Sequence, residues 1–108
     1  MRGFGWVMRR YRQLFMILRA ATLEPRRSIV EILSSGDRRT SEIIEELSRR
    51  GIYLPRTTLY YHLSILEGAG IISMIGYQEV GGGAPEKIWH LNAKYVKIGL
   101  VDDSIMLE

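Results

Sequence analysis

RTTLYYHLSILEGAGII, residues 56–72, is the stretch whose pattern decides the fold. Leu59, Leu63 and Leu66 recur at the spacing of one buried helical face, Pro55 stands where a helix can open, and Gly68-Ala69-Gly70 ends it. That register leaves Arg56, Thr57, Tyr60, Tyr61 and Ser64 pointing largely outward. Past Gly70 the pattern changes. Ile71 to Ile75 and Gln78 to Val80 read as extended, Gly81-Gly82-Gly83-Ala84-Pro85 as a turn or loop, and Lys87 to Leu91 as a second strand. The stretch therefore predicts a helix that leads directly into a two-stranded hairpin with a glycine-rich tip.

Upstream, three more segments have helical spacing. From Trp6 to Ala21, Val7, Tyr11, Leu14, Phe15 and Leu18 form an apolar stripe among Arg9, Arg12, Gln13 and Arg19, with Met8, Met16 and Ile17 widening it. Glu24-Pro25 reads as the start of a second helix that buries Ile29, Ile32 and Leu33 and stops at Gly36-Asp37. Thr40 reads as the N-cap of a third, with Glu42, Glu45 and Glu46 toward its positive end, Arg49 and Arg50 toward its negative end, and Gly51 as its stop. Residues 93–108 fit two readings: Val96, Ile98 and Leu100 alternate like a strand, while Tyr95, Ile98 and Val101 suit a short helix.

With 108 residues and 46% hydrophobic composition, the chain can close one core. The expected division is an N-terminal amphipathic helix at 1–23, a folded unit at 24–92 and an extension at 93–108. The net charge of +3 is small, but its distribution is uneven. Arg2, Arg9, Arg10, Arg12 and Arg19 lie in an acid-free segment, and Asp102, Asp103 and Glu108 in a base-free one. There is no cysteine, which removes disulfides and thiolate metal sites and fits a cytoplasmic protein. The charge-free run Gln13 to Leu18 is too short for a membrane span. His62 and His90, on different elements, supply no metal-ligand set, so neither a metal nor another cofactor is expected. Gly81 to Gly83 lack the Gly-Lys-Ser/Thr ending of a phosphate loop, and no nucleophile elbow or paired-carboxylate spacing points to an enzyme.

Three short helices and then a hairpin is the order of a winged helix-turn-helix: a mainly α fold with a small β-hairpin, here with an extra N-terminal helix. In that layout the second helix of the two-helix unit enters the DNA major groove. Arg56, Thr57, Thr58, Tyr60, Tyr61 and Ser64 then become candidates for contact with base edges or phosphates. One tyrosine is expected to pack under the wing instead, with Tyr61 assigned to that place and Tyr60 to the DNA. Arg38, Arg39 and Lys87 are candidates for phosphate contacts, as are Arg26, Arg27, Arg49 and Arg50.

The string TLYYHLSILEGAGII resembles the recognition segment of ArsR-like and PadR-like winged-helix repressors. Thr58, His62, Leu63, Leu66, Ala69, Gly70, Ile71 and Ile72 match that pattern, and Glu24 to Asn92 matches in element order. The resemblance implies a homodimeric transcription repressor on a palindromic double-stranded operator. Val7, Tyr11, Leu14, Phe15 and Leu18 are the expected dimer face. Two departures stand out: the cysteines of metal-sensing members are missing, and Arg56 is the one base on the recognition helix. The alternatives are a winged-helix protein-interaction module and a nonspecific architectural DNA binder. The sequence leaves open whether there is a small-molecule effector.

Overall fold

The computed structural model describes residues 11–79 and 81–108. Four helices are present among them: α1 (Arg12–Thr22), α2 (Arg26–Leu33), α3 (Thr40–Arg49) and α4 (Arg56–Gly68). The part of the expected first helix before Tyr11, including Val7, lies outside the described residues. Within α1 the inward positions are Leu14, Ile17 and Ala20, while Phe15, Met16 and Leu18 are exposed. Leu14 therefore leaves the expected dimer face, because its side chain is already buried within the chain.

Each helix gives one apolar stripe to a shared centre. Ile17 and Ala20 of α1, Ile29 and Leu33 of α2, Ile43 and Leu47 of α3, and Leu59, Leu63 and Leu66 of α4 meet there. Burying a side chain of this size contributes about 1.5–3 kcal/mol, so the helices are held by packing more than by intrinsic propensity. Their ends are specific. At the end of α4 the Gly70 N–H donates to the Glu67 carbonyl and the Ile71 N–H to the Leu66 carbonyl, both at 3.0 Å. This Schellman pairing needs a left-handed residue, and Gly70 supplies it at φ 79°. Ile71 and Ile72 are thereby turned into the core.

The sheet has three strands where the sequence predicts two. β1 (Arg38–Arg39), β2 (Ile72–Gln78) and β3 (Glu86–Leu91) pair antiparallel in the order β1-β3-β2. Arg38 lies opposite Trp89 and Arg39 opposite Ile88, so the residues just before α3 are stitched to the hairpin. On the other side Met74 faces Trp89 and Gly76 faces Ile88, a register shift that leaves Ile75 as an extra residue.

Thr40 is the first residue of α3, not its cap. Its hydroxyl is buried and accepts a hydrogen bond from the Trp89 indole N–H at 3.0 Å. The backbone N–H of Arg39, the N-cap, donates to the Glu42 carboxylate at 2.9 Å. The core claims the threonine because Trp89, itself buried, needs an acceptor.

The open end of the chain is a second hairpin, β4 (Val96–Ile98) with β5 (Ile105–Leu107), with Val96 opposite Leu107 and Ile98 opposite Ile105. Val96, Ile105 and Leu107 pack on the core, and the pairing continues where Lys94 and Tyr95 donate to the Glu108 carbonyl. Residues 96–98 are thus strand, and Leu100 lies in the connecting turn, 84% exposed. Among the described residues, no helix is long and apolar enough to cross a membrane.

Candidate nucleic-acid interface

With Leu59, Leu63 and Leu66 fixed in the core, α4 turns Arg56, Thr57, Tyr61 and Ser64 to solvent. The Ser64 hydroxyl donates to the Tyr61 carbonyl at 2.7 Å, within the helix. Thr58 and Tyr60 are half-buried. The two tyrosines thus exchange the places expected of them. Tyr60 packs toward the hairpin with the Lys87 ammonium 5.5 Å from its ring centroid, while Tyr61 is 61% exposed on the outward stripe. The hairpin approaches α4 from the side of its first turn, and position 60 rather than 61 faces that way. Lys87 also lies 6.0 Å from the Trp89 ring, so its charge rests on two aromatic faces.

Behind Tyr61, His62 is half-buried and its Nδ1 lies 3.0 Å from the Arg26 guanidinium. Arginine has no acceptor, so this ring nitrogen must be the unprotonated one. Burial, followed by the charge of Arg26, holds the His62 pKa below its ordinary value. Arg26 also donates to the Ala20 carbonyl at 2.8 Å and is buried, so it ties α1, α2 and α4 together and is not a surface phosphate contact.

Five other arginines meet acids. Arg38 donates to Glu46 at 2.8 Å and to the Gly36 carbonyl at 2.8 Å. Arg27 and Arg50 converge on Glu31, both at 2.8 Å. Arg39 reaches Glu42 at 3.1 Å and Glu86 at 3.4 Å, and Arg56 reaches Glu86 at 3.6 Å. Arg49 makes no ion pair among the described residues.

Glu86 is a further residue of this site, one that no sequence pattern marks. Its carboxylate accepts from the Ser41 backbone N–H at 3.1 Å and the Ser41 hydroxyl at 2.8 Å, and faces Arg39 and Arg56. Burial pushes its pKa up, but the Ser41 hydrogen bonds and the two guanidinium charges outweigh that and leave it below the usual carboxylate range. With Ser41, Arg56, Tyr60, Ala84 and Pro85 it lines the cleft between the hairpin and the first turn of α4. The signal for it in the sequence is faint: one acid at the foot of the glycine loop, far along the chain from the bases it meets.

These elements place an exposed helix face beside a hairpin, on a helical core. Residues 25–75 match the family model of a helix-turn-helix domain. The matched stretch runs from the start of α2 through α3 and α4 to Ile75 of β2. Together with the small antiparallel sheet, its helices fit a winged helix-turn-helix. No curated protein matches the chain.

Proposed function

We propose that this protein is a sequence-specific, double-stranded-DNA-binding transcription regulator of the ArsR-like or PadR-like type, acting as a homodimeric repressor in the cytoplasm. The observation that carries the reading is the outward stripe of Arg56, Thr57, Tyr61 and Ser64 on a helix whose opposite face is locked into the core. Such a helix presents donors, acceptors and an aromatic ring to the major groove, where base pairs differ in their edge pattern. Lys87 and Tyr60 bring the wing to the neighbouring backbone. Arg38 and Arg39 lie in β1, Arg39 on the Glu86 side of α4, and their ion pairs leave part of each side chain exposed, so operator phosphates held in register by α4 can compete for them. The exposed Phe15, Met16 and Leu18 of α1 form the dimer face in this reading, with residues 1–23 as the dimerisation segment.

Selection from a random duplex pool tests it. The protein should enrich one palindromic sequence, and Arg56→Ala or Tyr61→Ala should each weaken that complex by about 1–3 kcal/mol while changing random-sequence binding less. Equal losses on both duplexes would remove these residues from base readout, and failure to enrich any sequence would remove the regulator. One observation favours a second reading, a protein-interaction module: most bases around α4 are already matched by acids. Absence of salt-sensitive duplex binding would move the assignment there.

A further inference from the structure

Four donors converge on one anion at the foot of the wing. The Ser41 backbone N–H and hydroxyl bind the Glu86 carboxylate at 3.1 and 2.8 Å, and the guanidinium groups of Arg39 and Arg56 stand 3.4 and 3.6 Å from it. A hydroxyl, a backbone N–H and two guanidiniums are the donor set that proteins direct at a phosphate diester. Here the chain's own carboxylate fills it. The Glu86 side chain is 15% exposed, whereas that of Arg56 is 50% exposed, so the acid sits behind the bases and draws them from the outer surface.

We propose that Glu86 is an intramolecular competitor for the DNA backbone. It occupies Ser41, Arg39 and Arg56 on random sequence and yields the arginines where the fit of α4 to an operator offers stronger partners. The inference rests on the DNA-binding reading above and deepens it by naming what limits nonspecific affinity. The wing carries an acid at this point because unpaired bases would hold any duplex equally well. Neutralising the arginines on random DNA lowers the background against which the operator is read. Glu86 is thus a positioning residue: it touches no DNA and acts through the two arginines.

The test measures binding to a random-sequence duplex between 50 and 200 mM salt. Glu86→Gln should steepen the slope of log Kobs against log salt by about 0.9 for each phosphate that the freed donors take up, and raise affinity at 50 mM roughly tenfold per phosphate. Glu86→Asp, which keeps the charge, should retain the parent slope. Arg39→Gln should lower the random-sequence slope less in the parent protein than in the Glu86→Gln protein, because in the parent both Glu42 and Glu86 hold Arg39. In the Glu86→Gln protein the same change should cancel part of the gain. This second pair decides the matter even if Glu86→Gln loosens the wing, since a slope that falls by about 0.9 on Arg39→Gln in the parent means that Arg39 already grips a phosphate and overturns the proposal. Unchanged affinity and slope in a folded Glu86→Gln protein overturn it too, while leaving DNA binding intact. If neither protein binds a duplex at any salt, the DNA reading falls and inorganic phosphate decides the assignment of Glu86. The Ser41 amide resonance should then move on phosphate addition in Glu86→Gln and stay fixed in the parent, and no movement in either overturns the inference.

Discussion

Replacing Thr40 separates two roles that a buried threonine can have. Thr40→Val preserves the branched shape and nearly the volume, and the helix propensities of the two residues are close, so backbone and packing change little. What disappears is the oxygen 3.0 Å from the Trp89 indole N–H. Thr40 is 0% and Trp89 3% exposed, so water has no route to the orphaned donor. An unsatisfied buried donor costs about 1–3 kcal/mol, and the midpoint of that range, about 2 kcal/mol, corresponds to a Tm loss of roughly 10 °C in a domain of this size. Thr40→Ser keeps the oxygen and loses one methyl, which costs about 1 kcal/mol, or roughly 5 °C. The expected order is therefore valine worse than serine, the reverse of what an apolar core position gives. Thermal unfolding followed by far-ultraviolet circular dichroism, with urea titrations as a second measure, ranks the variants. In a Trp89→Phe background, where no indole N–H remains, Thr40→Val should cost much less. If serine proves as damaging as valine, or the cost of valine is unchanged in that background, the hydrogen bond does not hold the wing to α3.

Two further outcomes are open to direct measurement. Because the His62 pKa is depressed in the folded protein, the unfolded chain binds the proton more readily; the stability that depends on neutral His62 is present above its ordinary value of 6.5 and is lost as pH falls through the lower folded value. Urea midpoints should therefore drop between pH 7.5 and pH 5.5, and His62→Gln should flatten that dependence; an equal slope in both proteins would place the titrating group elsewhere. On α1, Phe15→Ser and Leu18→Ser should shift sedimentation toward the monomer without lowering the stability of the fold, since these side chains are 49% and 42% exposed. Ile17→Ala, next to Leu18 but on the inward face, should instead cost about 2–5 kcal/mol in unfolding; a dimer unaffected by both serine variants would place the interface on another surface.

What was legible in the sequence was whatever repeats at helical spacing or is fixed by a local rule. The leucines of α4 and the Ala69-Gly70 exit were visible because the 3.6-residue period and the left-handed cap are properties of the segment itself. Strand β1 was not, because Arg38-Arg39 is two residues long and reads as charge, and its pairing with Trp89 and Ile88 depends on where the hairpin folds back. The exchange of Tyr60 and Tyr61 has the same origin. Adjacent helical residues lie about 100° apart, and both flank the buried stripe. Only the side from which the wing approaches separates them. Glu86 was hidden for a related reason: its partners Ser41 and Arg39 lie 45 and 47 positions away, and no local spacing joins them. Thr40 met a sound local rule for caps and was taken by a tertiary demand, the indole of Trp89.

The register shift in β2 bears on how copies of this protein meet in a crowded solution. β2 is an outer strand of the sheet and carries exposed Ile75 and Tyr77, the composition of a strand that invites another to add beside it. The extra residue at Ile75 breaks the even row of N–H and C=O groups and coils the strand away from flatness. A neighbouring chain finds no straight template there, so the wing can keep apolar side chains exposed without seeding the growth of a sheet.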